Sequence, residues 1–264
     1  MNRHSLRASA ALIALALSLP TAAASINVLD LGAKNDGSED VSAIVNANTE
    51  KGALFFPAGI YKVSQPLVLK NPIRGEGYSR TRKESASRTW LVSDIACTNG
   101  AVGVIEFGGD CPMNVENLNI KCKSRECGIR ITDCRQSTYT FIDKVGIFNV
   151  GAWGLYVKGR GSRPIFAGNM TIWGTLDDPE ARAVGIRIEG PPDCRLTNIE
   201  AMGVCIGLEL LNGHTYGDNM HLWTGIMEGT SRAGGTTRAA SCSASTRTSP
   251  APRSIPTRAT TRLT

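Results

Sequence analysis

Gly185-Ile186-Arg187-Ile188 and Asn198-Ile199-Glu200-Ala201 form one copy of a two-part repeat, which is the strongest indication of the fold in this sequence. One part is an Asn before a short apolar segment, and the other is a Gly before strictly alternating apolar and polar residues. The Asn part recurs at Asn117, Asn169, Asn198 and Asn219, with Lys144 in the equivalent place of a fifth copy. The Gly part recurs at Gly128, Gly154, Gly185 and Gly207. The two parts interleave throughout.

The spacing of these phrases predicts a β-solenoid. Successive Asn parts are 27, 25, 29 and 21 residues apart, and successive Gly parts are 26, 31 and 22 residues apart. Loops of changing length between stacked strands are typical of such a fold, and alternation with period two indicates a strand with one buried face. We therefore expect parallel sheets around a continuous core. The asparagines should adopt the left-handed conformation at the entry to a strand, with their amides bonded along the column.

The first 24 residues are typical of a secretory signal. Arg3 and Arg7 precede a short apolar run, and Ala22-Ala23-Ala24 forms a small-residue cleavage site before Ser25. Export predicts a secreted or periplasmic protein with no nucleic-acid partner and no membrane contact once the signal is removed.

The composition changes again at residues 230–264. This tail has six arginines, no lysine, no acidic residue, one Leu and one Ile, which predicts disorder. Subtracting its six arginines and the two of the signal from the net charge of +6 leaves −2 for residues 25–229. The repeat ends abruptly after Trp223. We therefore expect that a shift of reading frame near Gly229 produced the tail, which would leave the solenoid truncated.

Eight cysteines are compatible with disulfides in an exported protein. The spacing is compatible with local bridges between Cys97 and Cys111, between Cys122 and either Cys127 or Cys134, and between Cys194 and Cys205. The spacing does not fix the connectivity, and it predicts no metal site.

The segment before the repeat carries a resemblance to a known family. A phrase of the form D-x-G-A-x-x-D-G-x-x-D is matched by Asp30, Gly32, Ala33, Asp36, Gly37 and Asp40. Helical spacing follows at Val41, Ile44 and Ala47, with Ser38 or Asp40 as the predicted N-cap. The forms F-P-x-G-x-Y and G-x-G are then matched by Phe56, Pro57, Gly59, Tyr61, Gly75 and Gly77. This string resembles the opening of the pectate lyase superfamily domain of rhamnogalacturonase-like and epimerase-like proteins.

The resemblance implies an all-β fold, a right-handed single-stranded parallel β-helix whose amino-terminal end is closed by a capping helix. It divides the chain into a signal (1–24), a β-helix (25–229, with a cap at 25–77 and coils at 78–229) and the basic tail (230–264). Some related β-helices form homotrimers, and nothing in this sequence decides that state.

Two outward rows of side chains are candidates for binding or chemistry. In the Gly strands, the residue after each glycine should point inward, namely Ile129, Leu155, Ile186 and Leu208. The next residue of each strand should then point outward, namely Arg130, Tyr156, Arg187 and Glu209. Lys158 and Glu189, two positions after Tyr156 and Arg187, should point outward as well. Neighbouring rungs should pair Lys158 with Glu189 and Arg187 with Glu209. Such a surface could bind an acidic sugar chain, or it could be an ordinary surface with cross-strand ion pairs.

The Asn strands offer an alternative ledge. It consists of Asn119, Gly146, Thr171, Glu200 and His221, flanked by Asp143 and Asp218. His214, Asp218 and His221 cluster in the sequence near the last intact coil, where a histidine could act as an acid or a base.

Catalysis by either of two chemistries would need further groups. Hydrolysis needs carboxylates on both sides of the scissile bond, and Asp177-Asp178 is the best local pair. It resembles the paired aspartates of polygalacturonase-like hydrolases, although their companion N-x-D is absent and a turn at Asp-Asp-Pro explains the pair equally well. Lyase chemistry needs a cation that neutralises the uronate carboxylate and a base that removes the adjacent proton. Arg187, Arg130 or Lys158 could supply the base. In the calcium-dependent lyases the cation is Ca²⁺. The candidate catalytic residues are therefore Asp177, Asp178, Arg187 and His214.

These observations predict an exported protein that cleaves an acidic extracellular polysaccharide by lyase or hydrolase chemistry. The alternatives are a glycan-binding module without catalysis and an epimerase acting on the polymer. A truncated chain would be inactive.

Overall fold

The computed structural model describes residues 25–107, 114–123, 125–132, 140–159, 165–175, 181–190, 194–211 and 215–224. The predicted signal and the tail therefore lie outside the described residues. Within these ranges the chain forms the 3₁₀ helix Val28–Leu31, the helix α1 Ser42–Asn46 and 17 strands. The strands are β1 Ile26–Asn27, β2 Asp36–Asp40, β3 Leu54–Phe56, β4 Gly59–Val63, β5 Leu67–Leu69, β6 Ile73–Gly75, β7 Thr89–Ser93, β8 Gly103–Phe107, β9 Asn114–Lys121, β10 Cys127–Thr132, β11 Thr140–Val150, β12 Trp153–Lys158, β13 Ile165–Gly174, β14 Val184–Glu189, β15 Cys194–Val204, β16 Ile206–Leu211 and β17 Thr215–Thr224.

The strands stack into two parallel sheets, which form the predicted right-handed parallel β-helix. The larger sheet runs β1-β3-β6-β9-β11-β13-β15-β17, with β2, β4 and β7 alongside, and the smaller runs β5-β8-β10-β12-β14-β16. The offsets between paired strands of the larger sheet are the 27, 25, 29 and 21 residues of the sequence repeat. Those of the smaller sheet are the predicted 26, 31 and 22. The repeat therefore sets the register directly.

The core lies between the two sheets. Ile129, Leu155 and Ile186 are fully buried, as predicted, whereas Leu208 on the last described rung is only partly buried. Gly128, Gly154 and Gly185 each stand where the backbone of the next rung approaches closely. A Cβ on Gly154 would lie 2.6 Å from the carbonyl oxygen of Gly185, which only a residue without a side chain allows.

The asparagines adopt the predicted left-handed conformation. Asn117, Asn169, Asn198 and Asn219 have φ between 49° and 56°, and Lys144 has φ 53°. Their amides form the predicted ladder, because Asn219 donates to Asn198 at 2.6 Å and Asn198 donates to Asn169 at 3.0 Å. Asn169 donates to Asp143 at 2.7 Å, so this carboxylate continues the ladder where the repeat has a lysine.

The position of these asparagines within the strands differs from the prediction. They lie inside long continuous strands, not at the entry to short ones. Parallel pairing resumes directly after the left-handed residue, so each strand bends without ending. Each long strand therefore presents two arms that face different directions.

Besides the 3₁₀ helix Val28–Leu31, the amino-terminal segment contains one short α-helix. α1 has five residues, and its N-cap position is Val41, without a side-chain cap. Asp40 ends strand β2 and accepts hydrogen bonds from the Ser42 amide and hydroxyl instead, so the prediction of Ser38 or Asp40 as N-cap is wrong. Burial raises the pKa of Asp40, but hydrogen bonds from Ser64 and Ser42 outweigh it and lower the pKa overall. The capping role of the helix stays a prediction.

Candidate functional site

The smaller sheet presents the predicted outward row of side chains. Arg130, Tyr156, Arg187 and Glu209 lie in register on successive rungs, next to a second row that contains Lys158 and Glu189. Lys158 Nζ is 3.4 Å from Glu189 Oε1, and Arg187 Nη1 is 3.0 Å from Glu209 Oε2. Both predicted cross-rung pairs are therefore present.

The charged groups of this row bind one another. Arg130 pairs with Glu106 at 3.3 Å, and the Tyr156 hydroxyl donates to Glu189 at 3.0 Å. Burial, together with this hydrogen bond, raises the pKa of Tyr156 to about 12. These partners make the row a network of cross-strand pairs, and a role for it in binding or catalysis stays a prediction.

A ring stack fixes Arg187 in the same row. Its guanidinium lies 5.3 Å from the ring centroid of Trp153, which in turn stacks on Tyr156 at 4.9 Å. Arg187 thus has both an ionic partner and an aromatic one, and each restricts its freedom to reach a substrate.

The larger sheet carries the alternative ledge in the predicted register. Asn119, Gly146, Thr171, Glu200 and His221 lie on successive rungs, each on the arm that follows the left-handed residue. Asp218 precedes Asn219 and aligns with Thr197, so it lies on the other arm of its strand. The bend at Asn219 therefore places Asp218 and His221 in different rows.

A groove of about 340 Å³ runs along this ledge. This volume is within the range of small-ligand sites. One wall comes from β13, β15 and β17, and the other from the segment 77–88 that follows β6. The lining residues are Tyr78, Arg80, Asn169, Met170, Thr171, Asn198, Ile199, Glu200, Asn219 and His221.

Arg80 and Glu200 form the central ion pair of the groove. Nε and Nη2 of Arg80 lie 3.3 and 2.9 Å from Glu200 Oε2. The Arg80 side chain is 70 % exposed and that of Glu200 is 19 % exposed. On the other side of the carboxylate, His221 Nδ1 is 3.9 Å from Glu200 Oε1. One carboxylate thus contacts both a guanidinium and an imidazole.

Tyr78 extends this arrangement through a hydroxyl. Its oxygen is 2.5 Å from Thr171 Oγ1, which is 3.4 Å from Glu200 Oε2. Burial raises the pKa of Tyr78 above its usual 10, and this effect outweighs the hydrogen bond to Thr171. Tyr78 therefore stays protonated at neutral pH and can donate a proton.

The segment 77–88 is fastened to the sheet at two points. Asn119 accepts the Ser79 amide at 2.7 Å and donates to the Gly77 carbonyl at 3.0 Å. Arg82 donates to the Gly174 carbonyl at 3.0 Å and lies 4.4 Å above the Trp173 ring. These contacts hold Tyr78 and Arg80 over the ledge.

Sequence reasoning missed Tyr78 and Arg80. They belong to no repeat, and their contacts to Thr171 and Glu200 join residues 93 and 120 positions apart. Their position directly after the Gly75-x-Gly77 phrase was the available signal. Three of the predicted catalytic residues, Asp177, Asp178 and His214, lie outside the described residues.

Where both cysteines of a predicted pair lie within the described residues, the structure contains no disulfide bond between them. Cys122 and Cys127 are both thiols, and so is Cys205, the predicted partner of Cys194. Burial raises the pKa of Cys127 to about 12, which keeps this thiol protonated. Cys111 and Cys134 lie outside the described residues, and disulfide formation stays a prediction.

Calcium has no fitting site within the described ranges. These residues bring together no group of three or more His, Cys, Asp or Glu side chains that could hold a metal ion. The described part of the chain also contains no helix with the length and apolar character that a membrane crossing needs.

Comparison with known proteins agrees with this architecture. Residues 25–152 match the family described as "Rhamnogalacturonase A/epimerase, pectate lyase-like". The match covers the amino-terminal segment and the first coils, including Tyr78 and Arg80, and it supports a carbohydrate-active function.

Two solved structures are similar to the chain. A putative glycosyl hydrolase from Parabacteroides merdae is 13 % identical, with a TM-score of 0.55 over 73 % of this chain and 97 % of that one. This likeness shows the fold alone. ORF18 of Geobacillus virus E2 is 14 % identical over 75 % of this chain and 59 % of that one, and its TM-score of 0.35 is too low to bear on the fold. Comparison with curated proteins gave no significant match.

Proposed function

We propose that this chain, whose residues 25–152 match the rhamnogalacturonase A/epimerase, pectate lyase-like family, is an exported carbohydrate-active β-helix that binds an acidic polysaccharide in the groove and cleaves it by β-elimination. The observation that carries the proposal is the grouping of Tyr78, Arg80 and His221 around Glu200. The family match and the β-helical fold support a polysaccharide as the ligand. The secretory signal predicted from the sequence of residues 1–24 supports export.

Arg80 is the residue that would bind the uronate carboxylate. A guanidinium has five N–H donors in a planar fork that suits a carboxylate. Glu200 contacts two nitrogens of Arg80 through one oxygen, and the side chain is largely exposed. Arg80 can therefore pair with a substrate carboxylate while Glu200 still holds it in place. Neutralising that carboxylate favours loss of the proton on the adjacent carbon.

His221 and Tyr78 would supply the proton transfers. His221, next to Glu200, takes the proton from the carbon that bears the carboxylate. The electron pair of that C–H bond forms a C=C bond as the glycosidic C–O bond on the next carbon breaks. Tyr78 donates its proton to the departing oxygen, since its raised pKa keeps the hydroxyl protonated. Glu200 orients both the base and the cation.

Elimination fits the groove better than hydrolysis does. Glycoside hydrolysis in most families uses two carboxylates on either side of the bond. Glu200 is the single carboxylate among the described residues that line the groove. Elimination needs a cation, a base and an acid, and the same lining includes one candidate for each.

A non-catalytic glycan-binding module is the second candidate. The Arg80–Glu200 pair cancels charge within the groove, and the row on the smaller sheet is saturated with its own ion pairs. A surface whose charges are internally paired can bind a sugar chain through hydrogen bonds without any reaction.

One experiment separates these functions. The exported protein is incubated with polygalacturonate, alginate and a neutral glucan, and the products are followed by the ultraviolet absorbance of unsaturated uronates and by new reducing ends. Elimination predicts both signals. They should be lost in Tyr78→Phe and His221→Ala but kept in Glu50→Gln, a control at an exposed carboxylate of the amino-terminal segment. Reducing ends without absorbance would assign hydrolysis. Retention on the immobilised polymer without products would assign a binding module, and changed product stereochemistry without cleavage would assign epimerisation.

A further inference from the structure

Trp223 is an exposed aromatic side chain beside the groove. It is 66 % exposed, the largest value among the described large apolar side chains. It lies two residues after His221 on β17, so the two side chains leave the strand on the same side. The polar groove and this ring are therefore neighbours on one surface.

Trp223 ends an apolar row that runs parallel to the ledge. It pairs with Met202, and Met202 pairs with Trp173 on the rung before. The Trp173 ring is covered by the Arg82 guanidinium at 4.4 Å. At one end of the row the Trp173 ring is covered by Arg82, and at the other end the Trp223 ring is exposed.

We infer that Trp223 forms a sugar-stacking subsite that extends the groove and takes the apolar C–H face of one pyranose ring of an acidic polysaccharide. This inference rests on the proposed function, because it assigns a second sugar position to the same ligand. An indole ring offers a large, rigid contact surface at little cost in conformational entropy. A pyranose presents C–H groups on its face and hydroxyl groups at its edge. Its face can therefore lie on Trp223 while the next sugar reaches Arg80 and His221.

Tyr216 provides a matched control on the same strand. It is 62 % exposed, close to the value for Trp223, but it lies on the arm before Asn219. There it aligns with Arg195 and Phe166, away from the ledge. Removal of the Tyr216 ring, which is similarly exposed but lies on the arm that does not border the groove, should not affect binding in the groove.

The test measures binding directly and does not require turnover. Oligouronates are titrated into the full-length protein while tryptophan emission and its quenching by acrylamide are recorded. We expect the bound ligand to protect a tryptophan from quenching by acrylamide. This protection should be absent in the Trp223→Phe variant. Trp223→Ala should weaken binding about threefold to tenfold, whereas Tyr216→Ala should leave it unchanged.

The subsite would be overturned by equal affinity of Trp223→Ala and the unchanged protein, by an equal loss of affinity in Tyr216→Ala, or by tryptophan emission that no oligosaccharide changes. A quenching change on dilution without ligand would assign the ring to a contact between two copies of this chain, and it would also overturn the inference. Product absorbance recorded on the same samples judges the proposed elimination separately. If the protein produces unsaturated uronates but replacement of Trp223 does not change ligand binding, the proposed function stands and only the subsite is excluded.

Discussion

Arg80 and Glu200, 120 residues apart in the sequence, meet at 2.9 Å across the groove. Arg80 belongs to the irregular segment after β6, and Glu200 belongs to a regular rung of the larger sheet. The contact requires three intervening rungs to stack in register, since each rung moves the ledge along the column by one strand spacing. The pair therefore connects residues 25–152, which match a known family, with a later rung that lies outside this match.

Replacing Arg80 should reduce activity far more than stability. We expect Arg80→Ala to lower kcat/KM on uronate polymers by about 100-fold, because a charge-assisted contact to the substrate carboxylate is lost. The free energy of unfolding should change by less than about 1 kcal/mol, since exposed ion pairs stabilise little. Steady-state kinetics and urea denaturation check the two expectations.

Arg80→Lys is the matched variant for this prediction. It keeps the charge but not the planar fork, so it should recover only part of the activity. Equal kcat/KM for the alanine variant and the unchanged protein would exclude Arg80 from substrate binding.

Removing the Tyr78 hydroxyl should alter the pH dependence of the reaction. The pKa of Tyr78 is raised above 10, so the protonated form that donates persists on the alkaline side of that value. Proton donation should therefore decline only when the pH exceeds the raised pKa. Tyr78→Phe should lower kcat about 100-fold with little change in KM, and it should remove this alkaline limb from the pH–rate profile. An unaltered profile in the variant would assign the proton transfer to another group.

Replacing Lys144 by asparagine should stabilise the fold. Lys144 holds φ 53°, a conformation that costs most residues about 1–2 kcal/mol and that asparagine adopts more readily. We expect Lys144→Asn to raise the free energy of unfolding by about 1 kcal/mol. Lys144→Ala keeps the strained conformation and should give no gain, which makes it the control. Chemical denaturation of the three proteins decides the point, and a loss of stability in the asparagine variant would contradict the prediction.

Asp94 should contribute to stability in a defined range of pH. Hydrogen bonds from Lys123 and Lys62 lower its pKa from 3.8 to about 2. A carboxyl whose pKa is lowered by folding stabilises the fold above its unfolded pKa, and this contribution disappears as the pH falls through the folded value. The melting temperature of Asp94→Asn should therefore be lower than that of the unchanged protein at neutral pH. The difference should close as the pH falls from 3.8 to about 2. A constant difference over that range would mean that another property of the side chain matters.

Sequence reasoning placed most of the scaffold correctly. The offsets between rungs, the left-handed asparagines and the Arg187–Glu209 pair all follow from a periodic pattern, because stacked strands turn equal sequence positions into neighbours in space. The long bent strands were not predicted, and the helix predicted from the spacing of Val41, Ile44 and Ala47 is a single short α1 with a different N-cap. Both depend on how the backbone hydrogen bonds continue past a single residue, which side-chain periodicity does not encode.

Local alternation and repeat length were enough to predict the β-helix, its register and the rows of side chains on its two outward surfaces. Which of these rows borders a groove became visible only in the folded chain. Tyr78 and Arg80 reach the ledge through an irregular segment held by Asn119 and Arg82, and no period predicts where such a segment crosses a sheet. The physical reason is that the core is built from regular contacts between neighbouring rungs, whereas the groove is built from a few contacts between distant parts of the chain.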